Sequence, residues 1–265
     1  MKPARSALIC HHDEPLNRFG LARWLASFTE LAAIIVIHEP RARLWRRIRR
    51  EIQRVGIVRF LDVLAFRVYY RLFLAKTDAR WIHATLKDLF QRYAALPSSC
   101  RVLDTPSPNS ADALALLEEV QPALVLARCK NILKESVFKT ARAGTFVMHP
   151  GICPEYRNAH GCFWALVNRD LNNVGMTLLR VDAGVDTGPV YGYYRCSFDE
   201  LRESHIVIQN RVVLDNLEAL RAKFEEILAG AAQTIDTAGR TSRAWGQPWL
   251  TSYLRWKRAA RRKSN

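Results

Sequence analysis

Residues 31–37 read Leu-Ala-Ala-Ile-Ile-Val-Ile, residues 123–127 read Ala-Leu-Val-Leu-Ala, and residues 144–148 read Gly-Thr-Phe-Val-Met. A continuous apolar run of this length, without the polar alternation of a half-solvated strand, marks a strand covered on both faces. Working outward, residues 6–10 form a further short run that ends in His11-His12-Asp13. Leu21, Trp24, Leu25 and Phe28 share one helical face, so a β-α-β unit opens the chain. A strand is expected at 102–103. A helix is expected over 111–120, capped by Asn109 or Ser110, and a short one over 134–140. Buried strands alternating with helices predict an α/β fold: a doubly wound, mostly parallel, Rossmann-like sheet. Beyond Pro150 the spacing predicts a helix over 160–168 and two strands, 175–181 and 189–196. There Ser197-x-x-Glu200 reads as a capping box opening a long helix to residue 228.

The chain has 265 residues, of which 49% are hydrophobic and 25% charged, enough to bury a sizeable core and to exclude a disordered tail protein. Its formal charge of +15 suggests an anionic partner. Position sharpens that. Residues 41–71 hold ten Arg against Glu51 and Asp62, and residues 255–263 hold six basic residues and no acid. Outside these stretches 24 basic residues face 23 acidic ones. The expectation is a near-neutral body, residues 1–230, interrupted by a basic helical insertion at 41–95 and followed by a basic tail at 231–265. Six cysteines show no CxxC spacing, which suits buried thiols in a reducing, cytoplasmic setting and no metal. The first apolar run is too short for a signal peptide, and no uncharged stretch is long enough to span a membrane.

In open α/β sheets, ligands bind beyond the carboxyl ends of the strands. Three loops qualify: 128–133, 149–161 and 182–189. His149 directly follows its strand, where an imidazole suits acid/base work. It could equally cap loop backbone. The third loop reads Asp182-Ala-Gly-Val-Asp186-Thr-Gly188-Pro189. Its glycines permit close approach to a ligand, and either Asp could orient His149 or make an ordinary Asx turn.

Taken together these segments are more specific. His149-Pro-Gly-Ile-Cys-Pro-Glu-Tyr-Arg-Asn158, then Trp164-Ala-Leu-Val-Asn-Arg-Asp170, Gly175-Met-Thr177 and Gly184-Val-Asp-Thr-Gly-Pro189 resemble the 10-formyltetrahydrofolate-dependent formyltransferases. That family includes glycinamide ribonucleotide, methionyl-tRNA and sugar-amine formyltransferases. The likeness covers about residues 100–195 and extends to 6–37, but not to 41–95 or the basic tail. It implies that an amine attacks the formyl carbon of the folate donor and that a tetrahedral oxyanion is stabilised. The family's His falls on His149 and its Asp on Asp186, the Asp orienting the His. The pterin would lie along Asn131, Ile132 and Leu133, near Gly184 and Val185. Tyr156, Arg157 and His160 match the acceptor side.

Three departures matter. The family's oxyanion-binding Asn falls at Val147, which has no donor; losing one such donor typically costs roughly 10²–10³ in rate. Asn158, His160 or Asn131 could substitute, or the chain could be an impaired relative that still binds. Arg128 replaces a small residue of the pterin loop. His11-His12-Asp13-Glu14 stands where the ribonucleotide enzymes carry a phosphate loop, and adjacent acids disfavour phosphate there. Only 79 residues follow Asp186, short for the extra barrel of the tRNA enzymes. The expected acceptor is therefore a small amine, best an amino sugar, nucleotide- or lipid-linked, as in surface-polysaccharide assembly.

Residues 57–75 place four charges on about half of a helix and Leu, Phe, Val and Tyr on the rest. Such a helix could pack on the body or in a homodimer. It could also lie, with 255–265, on an anionic membrane surface as a peripheral anchor. Nucleic acid is the weakest of these partners, since no nucleic-acid fold is evident.

Overall fold

The computed structural model describes residues 3–40, 48–49 and 51–264. Most of the Arg-rich run 41–50 lies outside the described residues.

The apolar runs form the strands the pattern predicts. β1 (Arg5–His11), β2 (Glu30–Ile37), β3 (Arg101–Thr105), β4 (Leu124–Arg128) and β5 (Gly144–His149) are parallel, in the order β3-β2-β1-β4-β5. The order reverses between β1 and β4, which opens a crevice at their carboxyl ends. After the two-residue β6 (Arg157–Asn158), β7 (Met176–Arg180) and β8 (Val190–Tyr194) extend the sheet antiparallel beyond β5.

Both faces are covered, as continuous apolar strands require. Alternate strand residues point to opposite faces. Leu8, Cys10, Ile34 and Val36 join one core with Trp24, Leu25, Phe163 and Phe224; Ala7, Ile9, Ile35 and Ile37 join the other with Leu116, Leu117 and Val120. The first helix is a π-helical turn, Leu16–Leu21, running into α1 (Ala22–Ala26).

The insertion packs on the body. α2 (Ile57–Tyr69) buries Phe60, Val63 and Phe66, and a π-helical turn at Tyr70–Leu74 leads into α3 (Ala75–Arg92). Buried Asp78 accepts hydrogen bonds from the Tyr70 hydroxyl (2.9 Å) and from the Ser204 hydroxyl (2.7 Å), which ties the insertion to the body. Burial raises the Asp78 carboxyl above the usual range, against the lowering from those two bonds. α4 (Ala111–Val120) begins where expected, with the Ser110 hydroxyl accepting from the Ala113 amide. α5 (Glu135–Phe138) and α6 (Gly161–Val167) follow their predicted positions.

The expected capping box at Ser197 does not form. Glu200 is drawn away to Arg169 and to the Trp256 indole N–H (2.8 Å). Ser204 instead caps α7 (His205–Leu214), accepting from the amides of Ile206 and Val207. The helix breaks before α8 (Leu217–Leu228).

The C-terminal residues do not trail from the body. Ile235 bridges to Val190, and β9 (Ala244–Trp245) pairs in parallel with β6. Trp245 stacks on Tyr156 and Trp164. α9 (Leu250–Ser264) buries Tyr253, Trp256 and Ala260 against α2 and α6, so its arginines occupy one face of a packed helix.

Candidate functional site

β5 delivers His149 to the carboxyl edge of the sheet, and the loop 149–161 folds back over it. Gly151 makes that fold possible: a Cβ there would stand 2.5 Å from the Tyr156 carbonyl oxygen and 2.9 Å from His149 Nε2. Gly161 packs against Gly151 with similar closeness, so only backbone fits between them. The His149 ring is buried. Its Nε2 donates to the Tyr156 carbonyl at 2.8 Å, and its Nδ1 lies 3.4 Å from Asp186 Oδ2.

Asp186 sits at φ +53, a left-handed conformation that Asp tolerates better than most residues. The loop is wound by Asp182, whose carboxylate accepts from the Gly184 amide and the Thr187 hydroxyl. Asp186 Oδ2 also accepts from the Asn158 amide at 2.8 Å. Arg157 Nη1 donates to the Val185 carbonyl at 2.9 Å, which clips this loop to the one after β5. His149 and Asp186, separate in sequence, therefore meet as expected.

The other expected residues divide. Ile132 (71% exposed) and Val185 (41% exposed) leave apolar side chains on the surface, while Leu133 is buried in the core behind the loop. Asn131 Oδ1 is buried without a partner among the described residues. Such an amide is short of a ligand. The Tyr156 ring is buried, with its hydroxyl on Asp170 and its face on Trp245; the backbone carbonyl is the part that reaches His149. Sequence carries no signal for a backbone carbonyl in that role.

Val147 shares the His149 face of β5 and packs with Cys153, Leu179, Val190 and Tyr193. An apolar patch occupies the place of the missing donor. Of the three substitutes, Asn158 commits its amide to the Trp245 carbonyl, and His160 has Gln209 and Gln247 beside it. Asn131 makes no side-chain hydrogen bond among the described residues.

The crevice between β1 and β4 is filled by a polar cluster. Arg128 donates to the Met148 carbonyl and to Asn17 Oδ1 (3.1 Å), so its side chain folds across the strand ends. Lys130 Nζ lies 2.8 Å from Glu14, and its amide donates to His11 Nε2 at 3.0 Å. Burial would raise the Glu14 carboxyl, but Lys130 and Arg128 hold it below the usual range. Among the described residues, no group of three or more His, Cys, Asp or Glu is placed to hold a metal.

A family model described as formyl transferase matches residues 89–222, half of the chain. The chain belongs to the formyl transferase family. Within it, the sequence is 27% identical over 146 residues to the methionyl-tRNA formyltransferase of Chlorobium limicola, covering 55% of this chain and 41% of that one. Against the same enzyme of Sorangium cellulosum it is 32% identical over 145 residues, covering 52% and 44%. The chain thus spans under half the length of these relatives. The fold is shared with the phosphoribosylglycinamide formyltransferase of Anaplasma phagocytophilum (TM-score 0.55, 13% identity, 93% of this chain and 100% of that one). It is shared also with a sugar N-formyltransferase from a Shewanella species (TM-score 0.53, 14% identity, 91% and 76%). The matched stretch includes all three loops of the site and begins after most of the insertion.

Proposed function

We propose that this chain transfers a formyl group from 10-formyltetrahydrofolate to the amine of a small acceptor, an amino sugar. The observation that carries the reading is buried His149 at the end of β5 with the Asp186 carboxylate 3.4 Å from its Nδ1. The carboxylate orients the ring, and the ring is placed to hold or move a proton where an amine attacks. In this reading the folate lies along Asn131, Ile132 and Leu133 and near Gly184 and Val185, where Ile132 and Val185 leave apolar side chains exposed and Asn131 Oδ1 is buried without a partner among the described residues. When bound, the folate supplies the activated formyl group. Arg157 and His160 border the acceptor side.

One feature weighs against a phosphoribosyl acceptor and toward an amino sugar. Glu14, held by Lys130, stands where a phosphoribosyl acceptor would need a phosphate cradle. The test is to incubate the protein with 10-formyltetrahydrofolate and a panel of nucleotide-linked and lipid-linked amino sugars. Tetrahydrofolate release and the formamide product are then measured. Val147 in its apolar patch favours one second reading, a folate-binding protein with impaired transfer. Binding of 5-formyltetrahydrofolate without transfer to any amine would establish that reading. Failure of both would remove the enzyme assignment.

A further inference from the structure

A cavity of about 570 Å³ lies between the insertion and the catalytic body. Val63, Phe66, Val68, Tyr70, Leu72 and Ala75 of the insertion form one wall, and His160, His205, Gln247 and Pro248 of the body form the other. The insertion wall precedes the stretch that the family model matches.

Three observations connect this cavity to the site. His160 adjoins Gly161, which packs on Gly151 directly over His149 Nε2. Lys130, in the loop after β4, and Arg67, on α2, both lie near enough to His160 for their charges to disfavour a proton on it. His160 is thus close to both the folate loop and the insertion. His160 and His205 each retain a buried Nδ1 with no partner among the described residues. Burial keeps both rings neutral, His160 lowered to about 4 and His205 well below its ordinary value. A neutral imidazole offers one donor and one acceptor, which suits an amine or hydroxyl.

The lining is mostly apolar, and it continues outward. Val68 (58% exposed) and Leu72 (69% exposed) line the cavity and also face solvent. Leu61, on the same helical face, is exposed as well. Arg67 and Arg71 also line the cavity, and neither has a carboxylate partner among the described residues. α9 lies against α2 and adds exposed Arg255, Arg258, Arg261 and Arg262. An apolar stripe flanked by unpaired arginines matches an amphiphile with an anionic head. Two copies of so basic a face would repel each other.

We infer that this cavity is the acceptor subsite and that it takes an amine joined through an anionic linkage to a lipid chain. The inference rests on the formyl-transfer reading and names the acceptor's class. The anion meets Arg67 and Arg71, the chain lies along Val68 and Leu72, and the amine end lies at His160, beside the loop that carries His149.

The probe is dodecyl phosphate below its micelle concentration, titrated by calorimetry, with inorganic phosphate and dodecanol as separate arms. The expected result is saturable binding of dodecyl phosphate, at least tenfold tighter than either arm. Ala75→Trp, which fills the cavity, and the exposed pair Arg67→Gln with Arg71→Gln should each weaken it at least tenfold. The Arg pair keeps the test valid if Ala75→Trp fails to fold. Absence of binding, or equal binding by the Arg variant, overturns the inference. Binding of inorganic phosphate as tight as the probe overturns the lipid part. 5-formyltetrahydrofolate, titrated alongside, reports on the formyl-transfer reading separately, because its loops lie outside the cavity.

Discussion

The Asp186 carboxylate stands 3.4 Å from His149 Nδ1, while the opposite ring nitrogen holds the Tyr156 carbonyl at 2.8 Å. A carbonyl only accepts, so Nε2 carries a proton, and the carboxylate fixes the orientation of the ring from its Nδ1 side. Asp186→Asn tests this with little structural cost. Asn tolerates the left-handed backbone, and its side-chain oxygen can still accept from the Asn158 amide. Only the charge is lost. Formyl transfer should fall in kcat by about 10² or more, with little change in the KM for the folate. An unchanged kcat would mean that Asp186 serves only to hold the loop.

Asn131 and Val147 form a second pair to separate. Asn131 makes no side-chain hydrogen bond among the described residues and sits in the loop after β4; its Nδ2 group, not the buried Oδ1, is the expected oxyanion donor in place of the residue missing at Val147. Asn131→Ala should lower kcat by about 10²–10³. Val147→Asn buries an amide among Cys153, Leu179 and Val190, where the nearby Tyr193 hydroxyl already donates to the Cys153 carbonyl. It should destabilise the protein by about 1–3 kcal/mol and raise kcat by less than tenfold. Denaturant unfolding and steady-state kinetics on both variants check this. Activity appearing only in Val147→Asn would identify a decayed enzyme instead.

The parts legible in the sequence were those encoded locally. Continuous apolar runs announced β2, β4 and β5 because each strand carries its own burial pattern, and Ser110 announced its helix because a cap bonds within three residues. His149 and Asp186 were legible through spacing and resemblance. What was missed depends on distant partners. Glu200 abandoned its expected cap for Arg169 and Trp256, and Trp245 pairs with residues almost ninety positions earlier. The arginines of α9 dominate its composition, yet Tyr253 and Trp256 on its other face decide where it lies. No local pattern reveals a partner that far away.

The buried imidazoles make acid stability a readable quantity. Burial lowers His160 from 6.5 to about 4, with His205 shifted in the same direction. The unfolded chain then binds more protons between those values, so stability rises with pH across the window and is lost as pH falls from about 6.5 toward 4. Between about pH 6.5 and 5, His160 alone should withdraw about 1.5 kcal/mol, or roughly 3–6 °C in Tm. His160→Asn should show a smaller drop over the same interval, as measured by calorimetry at several pH values. Parallel pH profiles for the two proteins would show that His160 is not neutral in the fold.

The C-terminal helix should behave as core. Trp256 is fully buried, donates to Glu200, and lies under the Lys257 ammonium at 4.2 Å. Lys257 in turn donates to the carbonyls of Glu200 and Glu203, just ahead of the Ser204 cap. Trp256→Ala therefore removes packing and loosens the segment that leads into α7. It should cost about 3–5 kcal/mol, roughly 10 °C in Tm. Replacing the exposed Arg255, Arg258, Arg261 and Arg262 by Gln should leave Tm within a few degrees, because solvated charges contribute little to stability. Truncation after residue 243 goes further, since it also removes the Trp245 stack on Tyr156, the residue whose carbonyl holds His149. That variant should lose both cooperative melting and folate binding. A truncated chain that melts within two or three degrees of the full one (about the resolution of the scan) would show that the helix is a dispensable tail.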